Sequence, residues 1–147
     1  IITAGGKNVA PAEVEPLLME IDGISQAVLV GDRRPYLAAL LTLDALALPA
    51  LAESLGLAES TPSALADDPT LRAWLAERIA KDVNPRLASY QTVKRFDILP
   101  RELSPEEGEM TPTLKLRRAE IVAKHAERID ALYRASAPDP ESARRSA

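Results

Sequence analysis

The chain has no cysteine. That removes disulfide staples and thiolate metal ligands, and it fits a reducing compartment. Aromatic residues make up only 3%, so the core must be mostly aliphatic and a base-stacking surface is hard to build. The net charge is −4, the wrong sign for a face that tracks nucleic-acid phosphates. No apolar run reaches the roughly 18 residues that a membrane-crossing helix needs, and no signal peptide is read. What remains is a 147-residue chain, 46% hydrophobic, enough for one domain with a real core and a small tail. It opens on Ile1 with "IITAGG", which reads as the end of a strand running into a turn. An excised piece of a longer protein is therefore expected.

Patterning along the chain predicts an α+β domain in the order βαββααβα, with a sheet of about three strands, a hairpin plus one, flanked by helices. Gly5-Gly6 marks a turn, and Pro11 opens a helix at its first turn. Val14, Leu17, Leu18 and Ile21 form the apolar face of that helix, and Glu13 and Glu15 favour its N-terminal dipole. Residues 24–32 and 36–44 are nearly continuous in apolar side chains and joined by Arg33-Arg34-Pro35. They predict an antiparallel hairpin covered on both faces. Helical patterns follow over 45–56 and 69–83, separated by a polar loop at 60–68, with Glu77 and Lys81 paired on the wet side. Residues 92–100 alternate as a strand. A polar, flexible lead-in over 104–109 then delivers a lysine loop, and a last helix spans about 116–133. The domain is placed at 1–133, with a disordered tail over 134–147.

Local motifs say little about chemistry. "AGGKN" fails the phosphate-loop spacing: Ile1 stands where a glycine is needed, and Asn8 follows the lysine. His125, the one histidine, lies on an apolar stripe and reads as a partly buried, hydrogen-bonded core residue. No histidine, cysteine or carboxylate spacing supports a metal site. Trp74, spaced among leucines, reads as core. Arg117-Arg118 with Lys115 is either an anion site or a solvated run. Positive charge at a helix start opposes the macrodipole, which hints that the charge serves something else.

Two separated segments resemble one family. "IITAGGKNVAPAEVE" is similar to the turn that opens the C-terminal domain of the adenylate-forming superfamily, which includes acyl- and aryl-CoA ligases, luciferases and peptide-synthetase adenylation domains. "EMTPTLKLRR" is similar to that domain's lysine loop. The wording of both, and of "ISQAVLVGDRRPYLAALLTLD" between them, is nearest the long-chain fatty acid–CoA ligases. The motifs stand in the right order across about 110 residues, a domain-sized gap.

The resemblance implies a two-step ligase: fatty acid and ATP give an acyl-adenylate and pyrophosphate, and the acyl group then passes to coenzyme A. Lys115 would be the adenylation cation, with Thr113 supporting its loop. Gly5, Gly6, Lys7 and Asn8 would face coenzyme A. Glu13 and Glu15 fall on a family pattern and are read as structural, serving the first helical turn and interdomain pairing; Arg33 or Arg34 could meet the phosphates of coenzyme A. ATP and Mg²⁺ would belong to a large N-terminal domain, the partner of this one, with no cofactor expected on this piece alone. Partners would be that domain and the substrates, not nucleic acid. The whole enzyme would be cytoplasmic, with association at the inner face of the membrane open to it. Alternatives are another acyl- or aryl-CoA ligase of the superfamily, or a binding module using Lys94, Arg95, Lys115, Arg117 and Arg118.

Overall fold

The computed structural model describes residues 1–134. The expected disordered tail falls, from residue 135 on, outside the described residues. Pro11 opens α1 (Pro11–Met19) as its first helical residue, where a missing N–H costs nothing. The continuous apolar runs become β1 (Ile24–Val30) and β2 (Leu37–Leu43), paired antiparallel. β3 (Val93–Ile98) joins the other side of β2 in parallel, giving the order β1-β2-β3. Every residue of β2 is buried. Side chains alternate across the sheet: Leu29, Leu37, Ala39 and Leu41 enter one apolar cluster, and Val28, Val30, Ala38 and Leu40 enter a second. The double-sided cover inferred from the sequence is therefore real.

A parallel pair needs a crossover. Here it runs through α2 (Leu48–Ser54), α3 (Pro62–Leu65) and α4 (Pro69–Arg78), then a π-helical turn over Ile79–Val83 and 3₁₀ turns. Asp68 caps α4 by accepting from the Leu71 N–H at 2.9 Å. Leu48, Leu51, Leu65, Leu71, Leu75 and Ile79 pack this layer onto the first face with Val14 and Leu18 of α1. The second face is closed by Ile121, Ile129 and Leu132, carried by α5 (Arg118–Lys124) and α6 (Ala126–Ala131) and their flank.

Two buried or half-buried carboxamides stand in for strand partners. Asn84 donates to the Val93 carbonyl at 3.0 Å and accepts from its N–H at 2.9 Å, fixing the start of β3. Gln26, at the bulge in β1, donates to the Leu103 carbonyl at 3.2 Å and accepts from its N–H at 2.7 Å. The segment that leads to the lysine loop is thereby tied to the sheet edge. At the far end of β1, Tyr133 and Tyr36 stack with centroids 4.8 Å apart. Their hydroxyls donate to the carbonyls of Tyr36 at 3.0 Å and Leu132 at 2.7 Å. Burial pushes the Tyr133 phenol well above its ordinary value, so it stays a neutral donor.

The α+β class, the hairpin and the added strand agree with the sequence reading. Four details differ. The opening β element is a single antiparallel bridge, Ile2↔Asn8. The segment folds back on itself, Thr3 donating to Lys7 and Val9 to Ile1 at 2.9 and 2.8 Å, so it has no length left to pair with the sheet. The polar loop holds the short α3, capped by Thr61. The helix expected over 69–83 changes to π geometry after Arg78. The last helix starts at Arg118 rather than 116 and breaks at His125, whose backbone leaves the helical region.

Candidate functional site

The lysine loop is a small hairpin. Met110 and Leu116 form its closing bridge. Thr111 donates its N–H to the Lys115 carbonyl at 2.8 Å, and Leu114 donates to the Thr111 carbonyl at 2.8 Å. Pro112 supplies the fixed φ that the second position of such a turn prefers. The Thr111 hydroxyl accepts from the Lys115 N–H at 3.1 Å and pairs with the Thr113 hydroxyl at 3.1 Å. Both threonines thus brace the turn, Thr113 as the resemblance implies. Leu114 at the tip has φ 63°, a conformation costly for a branched apolar residue. Lys115 is exposed, and no side-chain hydrogen bond or ion pair holds its ammonium among the described residues.

Its basic neighbours are committed elsewhere. Arg118 donates to both carboxylate oxygens of Glu15, at 2.7 and 3.0 Å, and to the Leu29 carbonyl at 3.1 Å. Glu15, itself buried, also accepts the Leu29 N–H at 2.6 Å. Arg117 lies against Glu120 and the Gly108 carbonyl. Arg95 donates to the carbonyls of Leu132 and Arg134. Arg95, Arg117 and Arg118 are thus each engaged by acceptors of this domain. The structural role read for Glu15 is seen within the domain, where its charge joins α1 to the start of α5. Glu13 sits in the first turn of α1 and accepts from Gln91.

The glycine turn is built differently. Gly6 has φ 83°, which glycine alone adopts freely. Gly5 has no such need, and a Cβ there would meet open space. The turn is stitched to the β1–β2 connection: Ala4 donates to Arg34, Arg33 to Ile2, and Ile2 to the Asp32 carboxylate, at 2.8–3.0 Å. Lys7 and Asn8 are exposed, with the Lys7 ammonium 5.5 Å from the centre of the Tyr90 ring. The hairpin is anchored instead through Gln26, which reaches Met110 Sδ at 3.4 Å at the opposite end of β1. No hydrogen bond or ion pair links the two loops among the described residues. Arg34 is engaged with Asp130 and stacked over Tyr133; Arg33, at φ 61°, has no side-chain partner among the described residues.

Sequence reasoning missed Glu109. It was placed in a flexible lead-in, yet it is fully buried. Arg101 donates to it at 2.8 and 3.3 Å, His125 Nε2 lies 2.7 Å from Oε2, and the Ser104 N–H reaches Oε1 at 3.3 Å. Burial pushes the carboxyl upward, but the hydrogen bonds from Arg101 and His125 and the Arg101 charge outweigh it, holding the value down to about 2. The reading of His125 as partly buried and hydrogen-bonded is borne out. Because the folded value lies below the ordinary 4.5, the stabilisation is complete above about pH 5 and is lost as pH falls through 4.5 toward 2. Urea melts of the chain across pH 7 to 3 should show about 2 kcal/mol of this loss, and Glu109→Gln should flatten the slope.

No cluster of three or more potential metal-ligating side chains is found among the described residues, and no described helix is long and apolar enough to cross a membrane. A family model described as AMP-binding enzyme C-terminal domain matches residues 1–137. The sequence is 39% identical over 134 residues to a long-chain-fatty-acid–CoA ligase, FadD15, of Mycobacterium tuberculosis, covering 90% of this chain and 22% of that protein. It is 33% identical over 151 residues to the long-chain-fatty-acid–CoA ligase ACSBG1 of Rattus norvegicus, covering 90% and 21%. In fold it resembles the adenylation domain of a carboxylate reductase from Mycobacterium chelonae, with a TM-score of 0.70 at 23% identity over 90% of this chain and 19% of that one. The A domain of a carboxylic acid reductase from Segniliparus rugosus, in complex with AMP and a co-purified carboxylic acid, gives 0.67 at 22% identity over the same shares. The chain spans about a fifth of the length of these relatives.

Proposed function

The chain belongs to the AMP-binding enzyme C-terminal domain family, and from that premise we propose that it is the mobile C-terminal domain, residues 1–133, of a long-chain fatty acid–CoA ligase. The observation that carries the reading is a single ammonium, Lys115, exposed on a braced hairpin and without an ionic partner among the described residues, while the arginines beside it are paired. In the first step a fatty carboxylate oxygen attacks the α-phosphorus of ATP, and the bond to pyrophosphate breaks. Two anions approach each other and charge grows on oxygen. A cation held between them in a closed, low-dielectric site stabilises that state far more than water would. Lys115 is that cation, and its compact ammonium with rotatable donors suits oxygens from two molecules at once. Thr113 braces the loop.

In the second step the thiol of coenzyme A attacks the acyl carbonyl and AMP leaves. Gly5 and Gly6 let backbone approach the pantetheine arm, and Lys7 and Asn8 offer polar contacts. That Gly5 has neither a positive φ nor a neighbour to avoid supports a role facing outward. The two loops hang from opposite ends of β1, so one rigid domain can offer either by rotating. ATP and the acyl pocket belong to the large N-terminal partner. By the same resemblance Mg²⁺, which would neutralise phosphate charge, belongs to the partner too. By the same reading the whole enzyme works in the cytoplasm, with association at the inner face of the membrane open to it.

The chain alone should form no acyl-CoA from palmitate, ATP and coenzyme A, measured by thioester formation and pyrophosphate release. The full-length protein that carries it should do so. Turnover by the chain alone at the intact enzyme's rate, or none by either, would overturn the reading.

A further inference from the structure

The hairpin's own bonds fix its shape but not its direction. Thr111 to Lys115, Leu114 to Thr111 and the Met110–Leu116 bridge all lie inside it. Direction is set at the root, where Glu109 stands. Its carbonyl accepts the Arg117 N–H at 2.9 Å, closing the hairpin from outside, and its own N–H donates to Ser104 at 3.1 Å. Its carboxylate is gripped from two sides: by Arg101, from the segment after β3, at both oxygens, and by His125, from the junction of α5 and α6, at Oε2. Lys124 and Glu107 pair at the rim.

The break between α5 and α6 takes its meaning here. The backbone bonds into and out of His125 persist, to Ile121 and from Ile129, both at 3.0 Å. α5 therefore passes directly into α6 at His125, and the imidazole lies against the buried carboxylate. An apolar residue in place of Glu109 would fill the same space without a desolvation cost, and a buried charge network often adds little net stability. What a carboxylate held at both oxygens does add is a single orientation.

We propose that Glu109, clamped between Arg101 and His125, is a positioning residue that aims the Lys115 hairpin. This rests on the reading of Lys115 as the adenylation cation. Glu109 touches no substrate; it acts through the root of the hairpin.

Two measurements test this. In the 147-residue chain, Glu109→Gln and His125→Ala should speed amide exchange at Arg117 by roughly tenfold or more, leaving sheet amides such as Ala39 unchanged. In the full-length enzyme the same substitutions should slow acyl-adenylate formation roughly 10- to 100-fold, the range expected when a reacting group is displaced by about an ångström. Thioester formation from supplied acyl-adenylate should be unaffected. His125→Gln, whose amide can donate near the imidazole position, should recover most of the loss. Unchanged exchange at Arg117, an equal fall in both half-reactions, or no rescue by glutamine would each overturn the proposal. If Glu109→Gln also loosens the sheet, the His125 pair decides. A wild-type enzyme that forms no acyl-adenylate would sink the ligase reading alone, because the exchange data still judge the socket.

Discussion

Lys115→Ala in the full-length enzyme should slow acyl-adenylate formation by about 10²–10³-fold, the usual cost of one lost charge stabiliser. The effect should fall on the rate of the chemical step, since the ammonium interacts most strongly with charge that develops in the transition state. Thioester formation from purified acyl-adenylate should continue at its normal rate, because under the proposed function that step uses the glycine turn at the other end of β1. Rapid-quench assays of the two half-reactions separate these outcomes. Equal loss in both would count against the assignment. Lys115→Arg should restore only part of the rate. The guanidinium keeps the charge, but as a planar fork it cannot occupy the position of a point-like ammonium. Folding should be indifferent to either change, since the side chain is exposed and makes no ion pair among the described residues.

Much of this was legible in the sequence, and for identifiable reasons. The apolar runs of β1 and β2 predict a sheet covered on both faces because burial on both faces is what erases alternation. Pro11 marks the start of α1 because its chemistry suits only the first turn. Lys115, Thr111 and Thr113 were legible as a braced loop because the partners of that loop are local. The unread parts depend on contacts distant in sequence. Glu109 looked like solvated lead-in since hydropathy scores a glutamate as wet, while its partners Arg101 and His125 lie 8 and 16 positions away. The break between α5 and α6 at His125 has no local signature, as neither proline nor glycine is there. Glu15 matched a first-turn carboxylate, yet its partner Arg118 stands 103 positions away, so the sequence could not reveal that its charge is used inside the domain.

That long-range pair leads to the largest stability change expected. Glu15→Ala leaves the Leu29 N–H without an acceptor and the Arg118 guanidinium without its carboxylate. The unsatisfied N–H costs about 1–3 kcal/mol, and the one-third exposed guanidinium adds less than the roughly 3–5 kcal/mol of a fully buried stranded charge, for a total of about 3 kcal/mol. For a domain of this size the melting temperature should fall by roughly 10 °C or more. Arg118→Ala strands the more buried partner, Glu15, at 11% exposure against 33% for Arg118, but it leaves the Leu29 N–H its acceptor, so the two losses should be comparable. The double substitution should cost less than the sum of the two, since no charge is then left unpaired. Thermal melts of the four proteins close this cycle. Additive losses would mean that the two side chains act independently. Coupling would mean that the helix leaving the lysine hairpin and the helix leaving the glycine turn are fastened to each other. The proposed presentation of two loops in turn needs that property: each would be offered by moving the whole body, without either loop shifting relative to the other.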